Sequence, residues 1–382
     1  MIQFNSKKYF ALSSLFLSSV ISLSAFGWAD HHLITQEALK KTPVANLTVE
    51  FQSFDKVLKV LNLNSSLEFN QNLKIHKNYR FNSRMHEAEN LDFKVIEVLA
   101  KYSDEPDWGM DQELFAEDQY PELWKDEYSM MGGSSGLSSQ AFRHMYWRSL
   151  YWKHPVESFK LPFKKIKESM GEAPQRAAAF MELAKVCFAN KLDYWGWRFT
   201  ANALHYMEDV TQPFHAAQVP SKIMISKILG QCFSQFKCDQ FIQRMTNIIA
   251  YYHFAYEDVI AEIFKSQKQR DVQFDFVAAL NGKTSNKYLN QSPLQITEQL
   301  AKLSNQFSAR AGQSSLKFFP EYQGSYLDLD ADKFMDEAWW KTVEQKLAQA
   351  QVNQDPYLKT VDAMFLELGD AIRSWVEAIK VP

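Results

Sequence analysis

The segment from Leu204 to Ala217 constrains the fold more than any other part of the chain. His205 and Asp209 are four residues apart, so a helix places both side chains on one face. Pro213 has no amide hydrogen and its ring clashes with the preceding turn, so regular helix must break there, and His215 follows two residues later. The segment therefore predicts two imidazoles and one carboxylate close together, a suitable ligand set for zinc.

A second pair with the same helical spacing, His253 and Glu257, lies further along the chain. A single pair of this kind is usually a surface contact on a helix. The chain contains only nine histidines, however, and three of them fall in these two segments. Ligand pairs on two helices indicate more than one metal ion, and that favours metal-assisted hydrolysis.

Residues 1–27 have the pattern of a cleavable secretory signal peptide. Lys7 and Lys8 form its positive start, an apolar run extends from Tyr9 to Ser24, and Ala25-Phe26-Gly27 resembles a cleavage site. The apolar run is about sixteen residues long and contains several serines, whereas a membrane span needs roughly 20 residues. We therefore expect cleavage, a secreted or periplasmic protein, and no transmembrane span after cleavage.

Cleavage at this position leaves Trp28 as the first residue of the mature chain. A free α-amino group can coordinate a metal together with its own carbonyl oxygen, and a peptide nitrogen cannot. His31 and His32 follow at the start of an amphipathic helix. The new N-terminus is therefore a third candidate source of metal ligands.

Together these features resemble the zinc-dependent phospholipase C and S1/P1 nuclease superfamily, whose members are all-α and hold a trinuclear zinc site. The residues that carry the resemblance are Trp28, His31, the motif His205-x-x-x-Asp209-x-x-x-Gln-Pro-x-His215, and the pair His253-x-x-x-Glu257. The apolar residues three and seven positions after His31 match the family's spacing, which favours His31 over His32 as the ligand.

The resemblance implies two further ligands between the first helix and the proline-broken helix. Asp107 resembles the family's loop aspartate because it follows a proline in an acidic, aromatic turn. Asp104 and Asp111 are its alternatives. His144 resembles the histidine that comes next. The alternatives to that histidine are His76, His86 and His154.

Carried over residue by residue, the resemblance implies three zinc ions. The first would be bound by Trp28, His31 and one oxygen of Asp209. The second would be bound by Asp107, His144, His205 and the other oxygen of Asp209. The third would be bound by His215, His253 and Glu257. Asp209 would then bridge two ions, and Asp107 would be both a ligand and a candidate general base.

Apolar residues recur at three- and four-residue steps through most of the chain after residue 27. They predict helices over 33–41, 93–102, 139–152, 174–190, 194–209, 240–266 and three segments near the C-terminus. Irregular chain is expected over 103–138 and 268–293. No series of alternating strands is present, so we predict an all-α, multi-helix bundle with the zinc ions between helices. Residues 28–382 would form a single catalytic domain, with 292–382 as a helical extension of the bundle.

Three cysteines suit an exported protein with one disulfide. Cys232 and Cys238 enclose a short loop and are the expected pair, whereas Cys187 lies in a helical pattern and is expected to be a buried free thiol. The glycine-rich stretch Gly132–Gly136 lies between two proposed ligands. We expect a surface loop there, with a flap over the site as the alternative.

The balance of 42 basic and 45 acidic side chains gives a net charge of −3. Mild acidity without a basic tract argues against a protein that binds long nucleic acid stably. Nuclease action stays open, because bound zinc ions bring their own positive charge.

The residues after His215 favour one branch of the superfamily. His215-Ala-Ala-Gln218 resembles the phospholipase sequence more than the nuclease sequence, in which a leucine usually precedes the histidine. The resemblance therefore implies a secreted zinc metallophospholipase C that cleaves phosphatidylcholine-like lipids, at a membrane or micelle surface, to diacylglycerol and a phosphorylated head group. The alternatives are an S1/P1-type single-strand nuclease and 3′-nucleotidase, and a non-catalytic secreted zinc-binding helical protein.

Overall fold

The computed structural model describes residues 28–81, 92–111, 143–148, 169–217, 235–269, 272–285, 287–321 and 335–379. These residues form an all-α fold with two pairs of very short strands, which confirms the predicted fold class. The predicted signal peptide, the stretch Gly132–Gly136, His86, His154 and Cys232 lie outside the described residues. Cys187 is a buried free thiol, and the described residues contain no disulfide.

The first half of the described chain consists of short elements. Its helices are α1 (His31–Leu39), α2 (Phe54–Val60), α3 (Ser66–Asn72) and α4 (Val95–Ser103). Its strands are β1 (Thr48–Glu50), β2 (Asp92–Lys94), β3 (Trp147–Arg148) and β4 (Ser169–Met170). Strand β1 pairs with β2, and β3 pairs with β4, both antiparallel. A π-helical turn, Pro106–Met110, follows α4 and carries Asp107.

The remaining helices, most of them longer, follow from residue 173 onward. They are α5 (Ala173–Ala189), α6 (Asp193–Asp209), α7 (Pro213–Ala216), α8 (Gln235–Ser266), α9 (Asp275–Leu280), α10 (Pro293–Phe318), α11 (Glu337–Leu347) and α12 (Pro356–Ala378). Helix α10 begins with a capping box, in which Ser292 and Gln295 satisfy each other's backbone amides. None of the helices in the described ranges is both long and apolar enough to cross a membrane.

Helix α6 is the central helix. Every residue from Tyr194 to Asp209 is buried, with α5 and α4 as its main neighbours. Buried polar groups must find partners, so the polar residues of α6 demand a polar environment inside the protein. The helix ends where Pro213 interrupts the backbone ladder, and the Gln212 side chain accepts a hydrogen bond from the Phe214 amide at the start of α7.

Two local predictions are wrong within the described residues. The helix predicted over 139–152 is not continuous, because Trp147 and Arg148 form a strand paired with Ser169–Met170. Here the backbone bonds to distant segments instead of to its own preceding turn. Helix α9 lies within the stretch 268–293 that was expected to be irregular. It is too short to show periodicity, yet Phe276 and Leu280 are buried against α12.

Candidate metal centre

The structure brings the predicted histidine and carboxylate ligands together in three buried groups. Within each group the ligand atoms lie within 4.8 Å of one another. The groups are His31 with Asp107 and His205, His144 with His205 and Asp209, and His215 with His253 and Glu257. We call the first two, which share His205, the bridged pair, and the last the third group.

Asp209 directs its two oxygens at different imidazoles. Oδ1 lies 3.5 Å from His31 Nε2, whereas Oδ2 lies 2.9 Å from His144 Nδ1 and 3.3 Å from His205 Nε2. The two imidazole nitrogens of His144 and His205 are 2.9 Å apart. Ligands on a tetrahedral zinc ion with bonds near 2.1 Å stand about 3.4 Å apart, so these separations are close to those of one coordination shell.

Asp107 faces both parts of the bridged pair. Its Oδ2 lies 3.7 Å from His31 Nε2, and its Oδ1 lies 3.5 Å from His144 Nδ1 and 3.8 Å from His205 Nε2. The resemblance assigned Asp107 to the second ion only. The observed position allows it to contact the first ion as well.

The third group is built from one turn of α8 and from α7. His253 Nε2 lies 2.7 Å from Glu257 Oε1 and 3.0 Å from His215 Nε2. The ring of Phe214 stacks parallel to the His253 imidazole, which fixes its plane. His215 Nδ1 lies 4.0 Å from Asp209 Oδ1, so this group adjoins the bridged pair.

The hydrogen-bond partners of three imidazoles set their tautomers. His205 Nδ1 lies 2.6 Å from the Ser103 carbonyl oxygen, and His215 Nδ1 lies 2.7 Å from the His144 carbonyl oxygen. His31 Nδ1 lies 2.7 Å from Glu208 Oε2. A carbonyl oxygen only accepts, so Nδ1 of His205 and of His215 carries the hydrogen, and in the neutral imidazole Nε2 presents its lone pair to the group. An ionised Glu208 would accept from His31 Nδ1 in the same way. This is the arrangement that orients metal-binding histidines.

Several acceptor atoms in the bridged pair lack partners. Among the described residues, His31 Nε2, Asp107 Oδ1 and Asp209 Oδ1 are buried without a hydrogen bond. An unsatisfied buried acceptor costs about 1–3 kcal/mol, so three in one place require a compensating interaction. Divalent cations satisfy nitrogen and carboxylate acceptors together, and the residues present therefore fit zinc.

Burial and neighbouring charges shift the pKa values of three side chains in the bridged pair. Burial raises the pKa of Asp107 to about 7 against the opposing effect of His144 and His31. Burial would lower the pKa of His144, but Asp209 and Asp111 outweigh it and raise that pKa to about 10. Burial holds the pKa of His205 well below its usual value. Without a metal the centre thus retains protons that a bound cation would displace.

The alternatives to Asp107 have other partners. Asp104 accepts hydrogen bonds from the amide and from Nδ1 of His32. Asp111 accepts from Arg143, Arg176 and Tyr206, and lies 3.4 Å from His144 Nε2. Burial would raise the pKa of Asp111, but the two guanidinium groups hold it well below the usual range.

The described alternatives to the two histidines, His32 and His76, also lie apart from the three groups. His31 is fully buried in the bridged pair, whereas the His32 side chain is 34% exposed and faces Asp104. His76 lies outside the groups, where its Nδ1 accepts a hydrogen bond from the Asn78 amide.

Trp28 is anchored beside the centre by its ring. Its Nε1 donates to Thr211 Oγ1 at 3.0 Å, and its ring packs on Phe365 and Tyr256. Thr211 lies in the turn directly after Asp209, so this hydrogen bond ties the start of α1 to the end of α6. Coordination by the Trp28 amine depends on cleavage and stays a prediction.

Sequence reasoning missed residues that hold the ligands in place. Glu208 accepts from His31 and from Thr35 Oγ1. Burial raises the pKa of Glu208 to about 7. Gln212 Nε2 donates to Glu257 Oε1 at 2.7 Å. Nothing in the local sequence marks these contacts, because both depend on side chains far along the chain.

A second network that was not predicted can be recognised from the spacing of polar residues in the sequence of α6. Arg198, Asn202, His205 and Asp209 recur at helical steps and form one polar stripe along the buried helix α6. Arg198 and Asn202 both donate to Glu105, two residues before Asp107. The stripe therefore extends from the ligands to the turn that carries Asp107.

No protein-family model, no curated protein and no solved structure matches this chain. The resemblance to the zinc-dependent phospholipase C and S1/P1 nuclease superfamily therefore rests on the ligand motifs and their spacing.

Proposed function

We propose that this chain is an exported zinc-dependent phosphodiesterase of the phospholipase C type, with three zinc ions. The observation that carries the proposal is the position of Asp209. Its two oxygens face His31 on one side and the pair His144 and His205 on the other. A carboxylate shared in this way is suited to hold two metal ions, and paired metals are typical of phosphoester hydrolysis.

The residues of the centre would have different roles in such a reaction. Bound zinc would supply a Lewis acid and a water molecule of lowered pKa. Asp209 would hold the two ions at a fixed separation. Asp107, buried and facing His31, His144 and His205, is suited to accept a proton from the attacking water. Glu257, His215 and His253 would hold a third ion, and that ion would supply positive charge beside the same phosphoryl group.

The substrate class is inferred from an exposed indole and from the sequence after His215. Trp108 directly follows Asp107, and its side chain is 46% exposed. An indole face can hold a quaternary ammonium group, as in a choline head group, or stack on a nucleobase. The phospholipase reading is favoured by His215-Ala-Ala-Gln218 and by the absence of a basic tract in the sequence.

A paired assay tests this function. Mature protein that begins at Trp28 is assayed for phosphocholine release from phosphatidylcholine micelles and for nucleotide release from single-stranded RNA, before and after chelation and zinc restoration. We expect zinc-restored phosphocholine release and no RNA cleavage. RNA or 3′-AMP hydrolysis without lipid cleavage would move the chain to the nuclease branch. Stoichiometric zinc without turnover of any phosphodiester would indicate a non-catalytic zinc-binding protein.

A matched variant sharpens the choice between substrates. Trp108→Leu keeps an apolar side chain but removes the aromatic face. If the indole binds choline, KM for phosphatidylcholine rises while KM for phosphatidylglycerol, a phosphodiester without the ammonium group, stays unchanged. An equal change for both kinds of lipid would contradict a choline-binding role.

A further inference from the structure

One short segment, Arg143–Arg148, belongs to both the bridged pair and the third group. The His144 imidazole is part of the bridged pair, 2.9 Å from Asp209 Oδ2. The carbonyl oxygen of the same residue accepts the Nδ1 hydrogen of His215, at 2.7 Å. Two residues on, the Tyr146 amide donates to the His215 carbonyl at 2.8 Å. His215 is therefore held on both sides by the backbone that presents His144.

A second connection runs through the turn between α6 and α7. The Gln212 amide donates to the Asp209 carbonyl, and the His215 amide donates to the Gln212 carbonyl. The Gln212 side chain then donates to Glu257 Oε1. The bridging carboxylate and two ligands of the third group are thus fixed by one tight turn.

Gly171 holds the segment Arg143–Arg148 from behind. A Cβ atom on Gly171 would lie 2.0 Å from the Met145 carbonyl oxygen, far inside van der Waals contact. Its φ of 115° is also a conformation that L side chains rarely adopt. The Ala173 amide donates to that same carbonyl. Only glycine allows this approach, and Met145 lies between the two residues that hold His215.

We infer that the third group and the bridged pair bind their metal ions cooperatively through the segment Arg143–Arg148, and that Gly171 is the positioning residue for this coupling. An ion in the third group fixes His215, and His215 fixes the His144 backbone. His144 is then ordered before the bridged pair binds metal, so less ordering entropy is lost at that step. Linkage requires the effect to be reciprocal. The inference rests on the proposed function, because it assumes that the groups bind metal.

The first test replaces Gly171 and uses a matched control. Gly171→Ala introduces a Cβ 2.0 Å from a backbone carbonyl oxygen, and Gly369→Ala does the same at 2.1 Å from the Leu280 carbonyl, between α12 and α9. Both substitutions should lower Tm. Only Gly171→Ala should weaken zinc binding, by about 10- to 100-fold in competition with a chromophoric chelator, the usual range for residues that orient ligands. Only Gly171→Ala should also alter the visible spectrum of the cobalt-substituted protein.

The second test does not depend on how well Gly171→Ala folds. His253→Ala removes a ligand of the third group only, and His76→Ala removes an imidazole outside the groups. Coupling predicts that His253→Ala also raises the zinc Kd of the remaining bridged pair by about fivefold or more, whereas His76→Ala leaves it unchanged. The probe is zinc alone, with mature full-length protein.

The outcomes separate this inference from the proposed function. Three bound zinc ions, with a bridged-pair Kd that neither His253→Ala nor Gly171→Ala changes, would overturn the coupling and leave the metal centre intact. Failure of the unsubstituted protein to bind zinc would overturn both.

Discussion

Helices α6 and α12 are both buried along most of their length, yet they bury different chemistry. The buried face of α12 is mainly apolar. Most of its buried polar groups have partners, such as Asp370, which accepts from the Ser285 amide at 2.6 Å, although Arg373 Nε has no hydrogen-bond partner among the described residues. Helix α6 buries a stripe of charged and imidazole side chains. Near its end Asp209 Oδ1 has no hydrogen-bond partner among the described residues. One helix is built for stability, and the other carries a cost that metal binding would relieve.

The largest expected difference comes from neutralising one buried carboxylate on each helix. Asp209→Asn should lose zinc and activity together, with a rate about 100- to 1,000-fold lower, because the shared ligand no longer carries charge. Asp370→Asn on α12 should lower stability by about 1–3 kcal/mol and keep zinc and rate. Zinc content and turnover are measured on both variants. Full zinc occupancy and rate in Asp209→Asn would remove its bridging role.

An apolar truncation on α12 should show the opposite pattern. Leu368 is fully buried, so Leu368→Ala should lower the free energy of unfolding by about 2–5 kcal/mol. Chemical denaturation of the zinc-loaded protein measures the loss, and chelator competition measures the zinc Kd. We expect an unchanged Kd, because Leu368 belongs to none of the three groups. A large change in Kd would mean that the two helices are not separable in function.

The stability of the metal-free centre should depend on pH, and zinc should change that dependence. The pKa of His144 is raised to about 10, so its protonated form stabilises the folded protein. This stabilisation is complete below the usual pKa of 6.5 and is lost as pH rises toward 10. The pKa of Asp107 is raised to about 7, so ionising this carboxyl in the folded protein costs free energy. The cost grows as pH rises from the usual pKa of 3.8 to about 7. Both make the metal-free centre less stable at higher pH, and zinc displaces both protons. The gain in Tm on adding zinc should therefore grow between about pH 6 and pH 8. A constant or shrinking gain, measured by thermal unfolding with EDTA and with zinc, would contradict these assignments.

A smaller effect is expected from Glu208, which touches a ligand without being one. Glu208→Gln keeps an acceptor for His31 but removes the charge, so zinc affinity should fall by about tenfold, at the lower end for such residues. Glu367→Gln on α12 is the matched control, since Glu367 pairs with Lys287 and Tyr288 away from the centre. Equal zinc affinity in both variants would show that the charge of Glu208 does not matter.

The sequence predicts the parts of this centre that depend on local spacing. His205 and Asp209, like His253 and Glu257, lie together as candidate ligand pairs because one helical turn separates them, and Pro213 explains why His215 joins them. The same reasoning fails for residues 147 and 148, which pair with residues 169 and 170 of β4. It also fails for Glu208, whose partner His31 lies 177 positions earlier in the chain. Contacts between distant segments leave no periodic trace in the sequence.

The central claim is that three metal ions occupy the three groups, with Asp209 between two of them. Crystals of the mature protein that begins at Trp28, grown with zinc, would test it through anomalous scattering measured at the zinc edge. We expect three anomalous peaks, two of them flanking the Asp209 carboxylate and one beside Glu257. A single peak, or none within the three groups, would contradict it.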